Sequence, residues 1–252
     1  MTILKDTALP RDERLSSIEG ILFDKDGTLL DFDDSWGPVN REVALLASGG
    51  DAALASTLLR ACGMDPETGH IVPDSLLAAG NTREIAAGFV SAGSLLDVEW
   101  LVPRIDAMFA GAAEKSVPVT DLAELFATLS RRGLRLGIAS SDNELSIRRT
   151  AERFSLTPYV DFIAGYDSGH GVKPQPGMVL GFCAATGLDP ARVAVVGDNN
   201  HDLHMGRNAG VGLKIAVLSG TGSRDSLSAC CDIMVDDVSH LPGLFSVQAG
   251  EV

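Results

Sequence analysis

Gly20-Ile-Leu-Phe-Asp24-Lys-Asp26-Gly27-Thr28-Leu-Leu30 is the stretch from which the rest of the chain can be read. A short apolar run closed by a glycine turn has the pattern of a buried strand. A strand that delivers Asp24 at its carboxyl end places it where open α/β sheets bind ligands. Asp26 stands one residue further into the turn and reaches the same small volume. Two carboxylates there suit a hard divalent cation, or a nucleophile with an adjacent acid/base. Aspartates before Gly-Thr also make ordinary turns, so the stretch alone leaves both readings open. A calcium loop needs further acids at alternating positions and a distal Glu, and Leu29 and Leu30 stand where those ligands belong.

The downstream half alternates strand-like runs with helical segments. Strands are expected at 134–139, 160–164, 192–196 and 212–217, and helices at 121–131, 144–154, 176–186 and 202–209. Strands separated by helices of this length argue for βαβ units and a parallel sheet with helices on both faces. The region from about Asp33 to Glu114 is different: it is rich in Ala and Leu, with helical patterns at 41–47, 52–61, 83–92 and 97–113. It reads as a helical insertion between the first strand and the rest of the sheet.

In that arrangement three more segments end beside Asp24. Ile138-Ala-Ser140-Ser141-Asp142-Asn143 ends a strand in two hydroxyls before a helix start, which suits a phosphate oxygen or serves as a plain N-cap. Lys173, held between turn residues in Gly171-Val-Lys173-Pro174, can neutralise phosphate charge; a lone lysine is otherwise a solvated surface group. Val193-Ala-Val-Val-Gly197-Asp198 brings a further acid to a strand end, with Asp202 four residues on. Asp198 can complete a cation site with Asp24 and Asp26, and Asp202 can hydrogen-bond the lysine. His201 and His204 lack matching cysteines for zinc and are expected on a solvated helix face.

Composition narrows the class. The chain has 252 residues, 45% of them hydrophobic, and a formal net charge of −14. Such charge opposes nonspecific binding to nucleic acid or anionic membrane, so any anionic substrate must meet local positive features. The four cysteines, Cys62, Cys183, Cys230 and Cys231, match no zinc or disulfide spacing and are expected to be buried and reduced. The residues from Met1 to Pro10 hold no apolar block of signal-peptide length, and no apolar stretch is long enough to span a bilayer. The expectation is a soluble cytoplasmic protein.

As a set, these motifs resemble the haloacid dehalogenase superfamily of aspartyl phosphatases, in particular its phosphoglycolate phosphatase-like branch. Asp24-Lys-Asp26-Gly27-Thr28 is similar to the first motif, Ser140 to the second, Lys173 to the third and Gly197-Asp198…Asp202 to the fourth. Ser141 stands where many relatives carry Asn, and Gln175 where a small residue is common, departures that bear on substrate preference. The resemblance implies a three-layer Rossmann-like parallel-sheet core, residues 1–32 and 115–252, with an inserted all-helical cap domain, residues 33–114. It implies a magnesium-dependent phosphoric monoester hydrolase acting on a small phosphorylated metabolite, phosphoglycolate-like or a sugar phosphate. Asp24 would be the nucleophile that becomes an aspartyl phosphate, and Asp26 the acid and then base. Ser140, Ser141 and Lys173 would bind phosphate. Mg2+ would lie on Asp24, the Asp26 backbone carbonyl and Asp198, with Asp202 behind. Trp36 and Arg83 are candidate substrate contacts from the cap, against packing and surface roles. A monomer or homodimer is expected.

Other chemistries of the superfamily fit less well. Dehalogenation generally proceeds without the second aspartate, and phosphonate cleavage would use a cap lysine, of which there is none between Lys25 and Lys115. A phosphomutase of the beta-phosphoglucomutase type shares every core residue and differs in how the cap excludes water. A non-catalytic binding protein on the same fold is the alternative from outside enzymology.

Overall fold

A computed structural model describes residues 12–245; the residues behind the leader expectation and the outer ends of the expected core segments lie outside that range. Six strands form one parallel sheet in the order β3-β2-β1-β4-β5-β6. They are β1 Gly20–Phe23, β2 Arg135–Ala139, β3 Val160–Ala164, β4 Val193–Gly197, β5 Leu213–Val217 and β6 Ile233–Val235. The first five fall where the alternation of the sequence places them, within one residue at each end. β6 has only three residues, too few for a period-two signal, and the sequence reading misses it.

Side chains alternate across the sheet and sort themselves into two apolar layers. Ile21, Phe23, Ala194 and Val196 face one side, where they meet α6 (Leu122–Arg131), α7 (Glu144–Arg153) and α11 (Leu241–Leu244). Leu22, Val193 and Val195 face the other, against α8 (Gly177–Thr186) and α9 (Asn200–Ala209). α6 shows why such a segment docks as a helix. Leu122, Leu125, Phe126 and Leu129 lie on one stripe, all buried, and Asp121 caps the helix start by accepting from Glu124 N at 3.0 Å. Burying each such Leu or Phe stabilises the fold by roughly 1.5–3 kcal/mol.

Between β1 and α6 the chain leaves the sheet and builds a helical unit. It comprises α1 (Phe32–Ala47), α2 (Ala52–Ala61), α3 (Leu76–Ala79), α4 (Thr82–Ser91) and α5 (Val98–Ala112). These helices bury an apolar cluster of their own, including Val43, Leu58, Ile85, Phe89 and Leu101. The outgoing and returning connections run side by side: Asp31 N donates to Val117 O at 2.8 Å, and Val119 N to Leu29 O at 3.0 Å. α1 begins nine residues before the stretch expected from the sequence. Gly37-Pro38 reads locally as a helix stop, but burial of Phe32 and Trp36 in the helical unit carries the helix through the proline.

The strand order places β1 between β2 and β4, the point at which successive crossovers change direction. A crevice opens outside the carboxyl ends of the strands at such a point. Asp24 follows β1 and Asp198 follows β4, one on each side of it.

Candidate active site

The crevice becomes a cleft because the helical unit covers it. Asp24, Asp26, Ser140, Ser141, Lys173, Asp198 and Asp202 line its floor, while Phe32, Trp36, Asn40, Leu77 and Phe109 line the opposite wall. All the core positions singled out from sequence therefore meet in one place. The Lys173 ammonium lies 2.5 Å from Asp24 Oδ1 and 2.6 Å from Asp202 Oδ1, buried between them. Asp202 belongs to a capping box at the start of α9: its Oδ2 accepts from Asn199 N at 3.2 Å, which orients the carboxylate toward the lysine. Asp198 accepts from Thr221 N at 2.8 Å on one oxygen and from Thr28 Oγ1 at 3.3 Å on the other.

Asp26 is held differently. Its Oδ1 accepts from Lys25 Nζ at 2.7 Å and from Trp36 Nε1 at 2.8 Å, and its Oδ2 from Ser140 Oγ at 3.4 Å. Lys25 is buried, spans to Asp142 at 3.0 Å and stacks over the Trp36 ring at 5.2 Å. Asp26 is thus tied to the covering helix α1 as well as to the sheet.

The electrostatics of the floor are unbalanced. Burial pushes the Asp24 carboxyl up to about 7; the Lys173 charge opposes the rise, and the charges of Asp202 and Asp26 add to it. Burial, then the neighbouring Asp24 and Asp202, pushes Asp198 well above the ordinary carboxylate range. Burial lowers the affinity of Lys173 for its proton, but Asp202 and Asp24 more than offset this and hold it charged. Carboxylate oxygens of Asp24, Asp198 and Asp202 lie within 4.8 Å of one another, with one ammonium between them. An all-oxygen, over-charged set of this kind fits a hard divalent cation and offers no nitrogen or sulfur donor. The backbone leaves room for it: a side chain at Gly27, which has φ +85°, or at Gly220 would collide with the Asp198 carboxylate.

A model of the family described as haloacid dehalogenase-like hydrolase matches residues 18–210. The chain belongs to that family. Over 142 residues it is 32% identical to a phosphoglycolate phosphatase of Caulobacter vibrioides, an alignment that spans 54% of this chain and 59% of that relative. An N-acetylmuramic acid 6-phosphate phosphatase of Pseudomonas aeruginosa is 26% identical over 194 residues, 77% of this chain and 79% of the relative. The fold matches the crystal structure of CbbY from Rhodobacter sphaeroides in complex with phosphate at a TM-score of 0.69 and 20% identity, covering 90% of this chain and 99% of that one.

The two cap candidates part company. Trp36 lines the cleft and hydrogen-bonds Asp26, while it also packs edge-on against Phe109 at 4.7 Å between ring centres. Arg83 does not join it: the side chain is exposed and pairs with Glu99 at 2.6 Å, on the outer side of α4. Arg83 is thus absent from the cleft lining: the Asn81 cap fixes the start of α4 with Thr82, not Arg83, on the buried face. The histidines also differ from the reading as solvated. His201 lines the cleft, and His204 is half-buried with Nε2 3.2 Å from Cys230 Sγ. Of the cysteines, Cys62 and Cys183 are buried and Cys230 and Cys231 half-buried, all four free.

Several contributors escaped the sequence reading. The loop after β5 supplies Thr221 to Asp198, and Ser219 Oγ donates to Gly27 O at 2.8 Å. Its signal was present as Ser219-Gly-Thr221-Gly222 directly after a strand, the same position as the other motifs. α3 and Asn40 carried no signal, since four apolar residues and one asparagine in a helix have no distinguishing pattern.

The Trp36 contact has a measurable consequence. Trp36→Phe keeps the ring against Phe109 and deletes one donor to the Asp26 carboxylate. Turnover is expected to fall about tenfold with a much smaller change in KM, the size of a hydrogen bond to a charged group. Equal kcat for the variant and the parent in steady-state phosphate release would show that the contact is only structural.

Proposed function

We propose that this chain is a magnesium-dependent phosphatase that hydrolyses a small phosphorylated metabolite, phosphoglycolate-like or a sugar phosphate, through an aspartyl-phosphate intermediate. The observation that carries the reading is the buried Lys173 ammonium 2.5 Å from Asp24, with Asp26 held across the same cleft by Trp36 and Lys25. A lone nucleophilic acid, a cation beside it and a second acid tethered nearby are the parts that phosphoryl transfer requires. The named phosphatases among its relatives point the same way.

In this reading an Asp24 oxygen attacks phosphorus, and the bond from phosphorus to the ester oxygen breaks. Asp26 gives its proton to that oxygen, which leaves as an alcohol. Asp26 then takes a proton from water, whose oxygen attacks the aspartyl phosphate; the bond to Asp24 breaks and inorganic phosphate departs. Ser140 Oγ, the Ser141 backbone and Lys173 Nζ hold the phosphoryl oxygens throughout. Asp24, Asp198 and the Asp26 backbone carbonyl would hold magnesium, with Asp202 positioning Lys173 behind them. When bound, the cation supplies charge neutralisation for the phosphoryl oxygens and keeps Asp24 ionised. The enzyme is proposed to act in the cytoplasm as a monomer or homodimer; no single helix among the described residues is long and apolar enough to cross a membrane.

The test is phosphate release from p-nitrophenyl phosphate by the full chain. Removing divalent cations with a chelator is expected to lower the rate by about two orders of magnitude or more, and added magnesium to restore it. A rate indifferent to chelation would sink the metal assignment, and no release under any condition would sink the hydrolase reading.

A further inference from the structure

The two walls of the cleft differ in kind. On the floor, one lysine serves the acids that surround it. On the covering wall Phe32, Trp36, Leu77 and Phe109 present apolar surface, and among the described residues lining that wall no side chain is cationic. The four arginines of the cap are engaged elsewhere: Arg83 by Glu99, Arg60 by Glu67, Arg41 by the carbonyls of Gly37 and Pro66, and Arg104 by the carbonyl and ring of Trp100. One polar group interrupts the apolar wall. Asn40, on α1, is 2% exposed and lines the cleft, and its Nδ2 has no hydrogen-bond partner.

A buried amide donor left unpaired is costly, and it is tolerated where a ligand completes it. An anion set against the same wall would be desolvated with nothing to neutralise it. Lys173 is already shared between Asp24 and Asp202, and Lys25 between Asp26 and Asp142.

We propose that the cleft selects phosphate monoesters whose leaving group is uncharged, with an apolar face against Phe32 and Leu77 and a hydroxyl or carbonyl oxygen that accepts from Asn40 Nδ2. Esters that carry a second anionic group, a carboxylate or another phosphoryl, are disfavoured. The inference rests on the phosphatase reading and narrows it to the polyol and sugar side. Among the described residues that line the cleft, His201 at the start of α9 is the one group besides Lys173 that can carry a positive charge.

Glycerol 3-phosphate and 3-phosphoglycerate form a near-isosteric pair that differs at the far end by a hydroxymethyl against a carboxylate. With the full chain and magnesium, kcat/KM is expected to be at least about tenfold higher for glycerol 3-phosphate. Asn40→Leu should lower kcat/KM for glycerol 3-phosphate several-fold, because its hydroxyl then loses the Asn40 donor. Ala79→Lys, which adds a cation on the rim of the same wall, should raise the value for 3-phosphoglycerate. Each of these results supports the assignment.

Equal or better hydrolysis of 3-phosphoglycerate by the parent overturns it. If that activity vanishes in His201→Gln, the histidine serves the second anion instead. An unchanged kcat/KM for glycerol 3-phosphate in Asn40→Leu removes Asn40 from substrate recognition, and an unchanged value for 3-phosphoglycerate in Ala79→Lys shows that charge on this wall does not set the preference. These failures are separable from failure of the phosphatase reading itself, which would show as no release even from p-nitrophenyl phosphate.

Discussion

Asp24→Asn is expected to abolish phosphate release from p-nitrophenyl phosphate, with kcat falling by about a thousandfold or more. The reason is chemical: an amide neither attacks phosphorus nor leaves as a carboxylate. The variant should also remain folded. Burial pushes the Asp24 carboxyl up to about 7, so the native state binds this proton more tightly than the unfolded chain does. The contribution of this group to stability is full below the ordinary carboxylate value and is lost as pH rises through about 7. Replacing it by a neutral side chain therefore relieves strain at pH 8 in metal-free protein. Thermal melts in chelator should show Tm equal to or above that of the parent at pH 8. Activity that survives the substitution refutes the nucleophile assignment; activity lost together with the fold leaves the melt as the deciding measurement against this account of the site.

Lys173→Met should damage both activity and stability. Removing the ammonium leaves Asp24, Asp198 and Asp202 buried with no opposing charge among them. Breaking a buried pair on one side typically costs about 3–5 kcal/mol, far more than the pair itself is worth. The sign of the pH dependence follows from the shifts already present. Asp24 and Asp198 sit above their ordinary values with Lys173 in place, and its removal raises them further. The penalty is small where the carboxyls are protonated and grows as they are forced to ionise. Urea or thermal unfolding in chelator should show a larger deficit at pH 8 than at pH 5. A deficit independent of pH would mean that Lys173 stabilises by packing alone.

How far the sequence can be read depends on where a residue's neighbours come from. Asp24, Ser140, Lys173, Asp198 and Asp202 were legible because each follows or precedes a periodic segment, and parallel strands bring their carboxyl ends to one edge. β1 through β5 were legible for the same reason, since four or five alternating residues suffice to set a face. β6, α3 and the first part of α1 were not. Their conformation is imposed by partners: β6 by the edge of β5, and Phe32–Gly37 by apolar contacts that override a local proline signal.

The cap residues make the same point for function. Arg83 carried the chemistry expected of an anion contact, and its helix turns it outward to Glu99. Asn40 carried no signal and is the polar group that α1 buries in the cleft wall. Charge type and motif spacing, written along the chain, were enough to name the sheet and the residues that meet on the cleft floor. Which cap side chains face the substrate is a matter of helix rotation and packing between segments far apart in the chain. Rotation of a helix by one residue, about 100°, exchanges inside for outside without altering any local pattern, and only contacts across the assembled fold select among those settings.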